Sequence, residues 1–154
     1  MPITPISDDL QVPQIPGVLQ GMSAQINASY SVERWMSLVP GTLVAAANVG
    51  NVIPVVVDTH VLPFILSVMI ACKNAPIGAS IVVDVNKNGV TIFTNQGNRP
   101  TIAAGQFASV ARTPDIQNLT TGDLITVDVD AVGSTAPGTD LTVMFLVKQG
   151  LIII

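Results

Sequence analysis

The sequence predicts an all-β fold: an antiparallel β-sandwich, jelly-roll-like or with Greek-key connections, with an extended N-terminal arm. Three observations predict it. From Ser31 onward, short β-type runs alternate with turn residues at the spacing of about 8–12 residues expected of a sandwich. Asn88-Gly89 lies between two runs of β-branched residues, the strongest short-range hairpin signal. Residues 1–30 hold four of the eleven prolines, interleaved with apolar side chains. The predicted organisation is therefore an arm over 1–30 and a sandwich domain over 31–154.

The arm comes first. Pro2, Pro5, Pro13 and Pro16 fix φ and lack an N–H, which blocks helix and central strand. Between and after them stand Ile3, Ile6, Leu10, Val12, Ile15, Val18 and Leu19. A disordered linker would be more polar than this, so these side chains are expected to dock on other chains. From Val32 to Leu38 the residues alternate as in a strand, and Pro40-Gly41 is expected to end the run. Runs at 43–47 and 52–57 follow, separated by Asn48-Val49-Gly50-Asn51, which reads as a turn. Pro54 places the second run on a sheet edge. The stretch 64–73 behind Pro63 is predicted as a strand rather than a helix because it is rich in β-branched and aromatic residues.

The hairpin 81–94 is next. Asn88-Gly89 suits a type I′ turn, in which both central residues need positive φ. Asn95-Gln96-Gly97-Asn98 turns again. Strands are expected at 100–103 and 106–111, a loop with one helical turn at 114–122, and closing strands at 124–130 and 141–147. Leu151, Ile152, Ile153 and Ile154 would be costly to leave in water. Gly150 is read as breaking the run before them, which favours a strand added to a neighbour.

Composition narrows the function. Of 154 residues, 49% are apolar and 10% charged, and mean hydropathy is +0.59; an ordinary soluble domain is about 25% charged. Such a surface is expected to be covered by subunit contacts. Membrane insertion fails on length: the longest apolar stretch, 61–72, is broken by Pro63 and Ser67, whereas a spanning helix needs about 20 residues. Met1-Pro2-Ile3-Thr4-Pro5 lacks the basic region and apolar segment of a secretory signal, so synthesis in a cytosol is expected. The six basic residues are scattered and net charge is −4, which argues against nucleic acid as a partner.

Catalytic and metal motifs are thin. The single histidine, His60, follows Asp58, but no nucleophile elbow accompanies them. The lone Cys72 lies in an apolar strand and is read as a core residue. Asp84-Val85-Asn86-Lys87-Asn88-Gly89 matches the first half of a calcium loop, but Asn95 stands where the bidentate Glu is needed. Asp128, Asp130 and Asp140 flank one loop and are weighed as a cation site against solvated strand carboxylates. Tyr30 and Trp35 are weighed as a sugar platform against packing, with the Trp35 N–H bonded at an edge. The expectation is no enzyme activity, no cofactor and no metal.

Three stretches carry a resemblance: 77–89, from Ile77-Gly78-Ala79-Ser80 to Asn88-Gly89; 98–105, Asn98-Arg99-Pro100-Thr101 to Gly105; and Gly122-Asp123 with the loop Val132-Gly133-Ser134-Thr135-Ala136-Pro137-Gly138-Thr139-Asp140. Together they resemble β-sandwich modules of tailed-bacteriophage structural proteins. The likeness covers about half the chain and consists of turn residues, not an active-site motif. It implies a virion protein made in the host cytoplasm. The expected role is a capsid cement or decoration protein, a homo-oligomer in the form of a trimer, with the major capsid protein as partner. The alternative is a tail-fibre or baseplate component contacting host glycans. The residues expected to make assembly contacts are the seven apolar residues of the arm and Leu151 to Ile154.

Overall fold

The computed structural model describes residues 30–57 and 61–151, with backbone alone for Tyr30 and Leu151. The chain divides into two units, Met1–Tyr30 and Ser31–Ile154, and the description below concerns the second. Its strands are β1 (Tyr30–Thr42), β2 (Ala46–Pro54), β3 (Val61–Asn74), β4 (Ile81–Lys87), β5 (Val90–Thr91), β6 (Thr101–Ile102), β7 (Leu124–Ala131) and β8 (Thr139–Leu151). Among the described residues, one 3₁₀ turn, Gln96–Asn98, interrupts them. No helix among the described residues is long and apolar enough to cross a membrane.

Two antiparallel sheets form, in the orders β1-β8-β3 and β2-β7-β4-β5, with β6 beside β4. The pairing is nested. β4 joins β5 at the hairpin; residues 106–118 bridge to β3; β2 pairs with β7; β1 pairs with β8. A long antiparallel ribbon wound on itself gives this order, and it is the jelly-roll arrangement. The sandwich anticipated from the turn spacing is therefore the fold.

Local chemistry explains most of the elements. Asn88 (φ 52°) and Gly89 (φ 79°) both take positive φ, and Lys87 pairs with Val90, so the hairpin closes as a type I′ turn. Pro54 ends β2, an edge strand where the missing N–H is tolerated. Pro40-Gly41 does not stop β1, which runs on to Thr42. β1 is also an edge strand, and the Gly41 N–H donates to Asp140 Oδ1 at 2.8 Å.

Three further expectations change. Asn48-Val49-Gly50-Asn51 is not a turn but the interior of β2: register shifts flank Val49, and Asn48 and Gly50 take positive φ within a bulged strand. Bulge and turn demand the same left-handed residues, so composition does not separate them. Residues 106–111 do not form a regular strand. They belong to a longer irregular segment that still satisfies β3: Val68 and Arg112 exchange N–H···O bonds of 2.7 and 2.8 Å, and Cys72 N–H reaches Phe107 O at 2.8 Å. Gly150 does not break the last strand either; it pairs with Leu62, and Leu151 with Val61.

The core lies between the sheets. Ile65, Val68, Ile70 and Cys72 of β3 and Leu141, Val143, Phe145 and Val147 of β8 are buried together with Ile81, Val83 and Val85 of β4 and Ile125, Val127 and Val129 of β7. Each such large side chain contributes about 1.5–3 kcal/mol on burial. Cys72 is the core residue expected, and burial pushes its thiol pKa up.

Candidate interaction surface

Strand alternation assigns each remaining side chain to an outer face, and the two outer faces differ in kind. On the five-stranded sheet, β4 and β7 turn Asp84, Asn86, Thr126, Asp128 and Asp130 outward, opposite in parity to the buried valines. All of these but Thr126 are engaged by nearby donors or acceptors. Asp84 Oδ1 accepts from the Thr91 hydroxyl at 2.7 Å and from the Val85 N–H at 2.8 Å. Asn86 Nδ2 donates to Asp128 Oδ2 at 2.8 Å, and the Asn48 N–H donates to Asp128 Oδ1 at 2.7 Å. Asp84 and Asp128 stand directly opposite each other, a placement that repels unless donors are supplied; these four bonds supply them. Arg99 pairs with Asp130.

The three-stranded sheet presents the reverse. In β1, Trp35 and Val39 pack on the core and Ser37 is buried, which leaves Val32, Arg34, Met36 and Leu38 outward. In β8 the outward residues are Thr142, Met144, Leu146 and Lys148. In β3, Ser67, Met69 and Ala71 lie opposite Leu146, Met144 and Thr142. Met36, Leu38 and Leu62 keep 53%, 55% and 57% of their surface exposed. Apolar residues elsewhere, such as Val56, Val90, Phe107 and Leu124, are exposed as well. At one end of the apolar face, Leu62, Phe64, Leu66, Asn118, Lys148 and Gly150 line an open depression of about 330 Å³.

The edges of this sheet are covered along β3 and, on β1, from Met36 to Leu38. The β3 backbone is satisfied along its length by residues 106–118, ending with Leu119 N–H to Pro63 O at 3.0 Å. On β1, the Asn51 side chain accepts from the Leu38 N–H at 3.0 Å and donates to Met36 O at 3.3 Å. Bulges, prolines and covered edges are the usual means of preventing strand addition. What remains open is a face.

The residues weighed from the sequence fall as follows. Ile3, Ile6, Leu10, Val12, Ile15, Val18, Leu19, Ile152, Ile153 and Ile154 lie outside the described residues, as do Asp58 and His60. Leu151 closes β8. Asp128, Asp130 and Asp140 are each engaged separately, Asp140 by the Gly41 N–H and the Thr139 hydroxyl. Among the described residues no group of three His, Cys, Asp or Glu is placed to hold a metal ion. Trp35 is turned toward the core rather than the outer face, and its Nε1 donates to Glu33 Oε2 at 3.2 Å. Met36, Leu38, Met69, Met144 and Leu146 were not singled out by sequence reasoning. Their signal was present: β1, β3 and β8 carry apolar residues at both parities, where an antiparallel strand with one wet face should alternate.

Comparison with models of protein families and with curated proteins returns no match.

Proposed function

We propose that this chain is a non-enzymatic structural protein of a virion, a decoration protein that cements the head of a tailed bacteriophage through subunit contacts. The observation that carries the reading is the asymmetry of the sandwich: one outer face is polar and bonded to itself, the other is apolar and open. A chain with 10% charged residues and such a face is suited to a place in an assembly. The resemblance of 77–89, 98–105 and 122–140 to phage modules supplies the kind of assembly. In this reading the protein is a homo-oligomer, a trimer, whose partner is the major capsid protein, and Ile3 to Leu19 attach it to the shell.

The mechanism is mass action. A protein that binds only the assembled lattice stabilises it by RT ln(1 + [L]/Kd). Several linked contacts per oligomer raise the effective concentration of each further contact.

The test compares particles made with and without the protein. Loss of resistance to heat and osmotic shock with normal adsorption to cells is the expected result. Unchanged particle stability with lost adsorption would overturn the cement reading and place the protein in the tail fibre or baseplate.

A further inference from the structure

We propose that the outer face of the three-stranded sheet is the surface through which copies of this chain associate, with β8 nearest the symmetry axis. The inference deepens the self-association in the function proposed above and is independent of any virion.

Size is the first argument. The three strands are 13, 13 and 14 residues long. At about 3.3 Å per residue and 4.8 Å between strands, they make a face of roughly 43 by 14 Å, or about 600 Å². That outline takes in Arg34, Ser67, Thr142 and Lys148 as well as the apolar side chains. Two such faces in contact bury about 1,200 Å², the lower bound of a stable interface and well above a casual contact.

Charge is the second. Lys148 stands beside Phe64 toward one end and Lys73 acts on Asp140 at the other. The patch formed by Met36, Leu38, Met69, Met144 and Leu146 is itself uncharged, and the remaining outward cation, Arg34, stands beside Met36 on the edge strand β1. Copies that meet on that patch leave the charged ends of these long side chains at its rim, where they can reach water. Three of the five side chains are methionines, flexible enough to fill the gaps between two twisted sheets.

The closed edges are the third argument. Residues 106–118 occupy β3, and Asn51 occupies β1 from Met36 to Leu38. Strand addition is therefore not available at these positions, and packing of faces about 10 Å apart uses the side chains these strands turn outward. Any cyclic arrangement that turns this face inward brings the middle strand closest to the axis. β8 is that strand, and Met144 lies midway along it. Met144 of one copy then approaches Met144 of another, as symmetry requires of a residue near the axis.

The experiment is sedimentation velocity on the full chain over a concentration series, with circular dichroism to follow the fold. The wild type is expected to associate, and Met144→Glu to weaken association by about 100-fold or more, because like charges are brought together. Met144→Leu should leave association intact. Met144 is partly exposed and turned away from the core, so the Glu variant should keep its spectrum. A wild-type chain that stays monomeric at about 100 μM, or an associating one that Met144→Glu leaves unchanged, overturns the proposal. Should the Glu variant fail to fold, a photoreactive amino acid at position 144 of the otherwise unchanged chain decides. Cross-links to β1, β3 or β8 of another copy support the proposal. Cross-links to residues 1–29, or flotation of a monomer with phosphatidylglycerol vesicles, mean that something else covers the face and overturn it.

Discussion

The Asn51 side chain stands in for a neighbouring strand beside Leu38. Its Oδ1 takes the Leu38 N–H at 3.0 Å and its Nδ2 gives a proton to Met36 O at 3.3 Å. The contact is close because Gly50 has no side chain; a Cβ there would come within 2.7 Å of Leu38 O. Asn51→Ala should orphan both backbone groups and lower stability by about 1 kcal/mol in urea unfolding. It should also raise light scattering with concentration, because the freed edge can pair with another chain. A variant as stable and as clear in solution as the wild type would show that the edge needs no such cover.

Gly89 takes φ 79° with open space where a Cβ would go, so a substitution there meets backbone strain and no clash. Gly89→Val should destabilise the fold by about 1–2 kcal/mol, and Gly89→Asn by much less, since Asn tolerates the left-handed region. Thermal melts of the two variants should differ in that order; equal melts would mean the turn does not set the hairpin.

Acid should unfold this protein through three aspartates. At Asp123, burial pulls the carboxyl pKa up, but the Thr120 N–H, Asn88 Nδ2, the Thr120 hydroxyl and the Lys87 charge together hold it below its ordinary value. Asp115 is lowered by the Asn95 N–H and Thr94, and Asp140 by the Gly41 N–H and Thr139. A carboxylate with a depressed folded pKa contributes stability above its unfolded value of about 3.9 and loses it as pH falls through the folded value. The melting temperature should be level above about pH 5 and fall steadily below about pH 4. Asp123→Asn should lower it at neutral pH and flatten the acid limb, and a limb equally steep in the variant would remove Asp123 from the account.

Thr126 on β7 has a buried hydroxyl without a hydrogen-bond partner among the described residues. An unsatisfied buried hydroxyl costs about 1–3 kcal/mol. Thr126→Val keeps the shape and the β-branching, so it should raise stability by about 1 kcal/mol. A drop in the urea midpoint would reveal a water or other partner for that oxygen.

The sequence was most readable where stereochemistry leaves one solution. Asn88-Gly89 could hardly serve a strand interior, and Pro54 could hardly serve a central strand. It was least readable where two structures ask for the same residues, as at Asn48 and Gly50, which suit a bulge as well as a turn. Residues 106–118 pair with β3 through scattered bridges, and irregular pairing leaves no period to find. The apolar face was hidden for a related reason. In 61–72 both parities are apolar, and a strand dry on both sides looks the same whether the second side meets its own core or another molecule. The apolar residues of 1–30 are conspicuous by contrast, because prolines stand between them.

The nested pairing also orders events in time. β8 is the last strand of the sandwich, yet it is the middle of its sheet, with β1 on one side and β3 on the other. While the chain is being made, β1 and β3 leave the ribosome without the strand that will join them. Half of the core has no wall until the final strand arrives. Folding should therefore wait for β8, and then proceed in milliseconds to seconds as for other topologies built on distant pairings. During that wait the nascent chain exposes strand edges that the finished molecule covers.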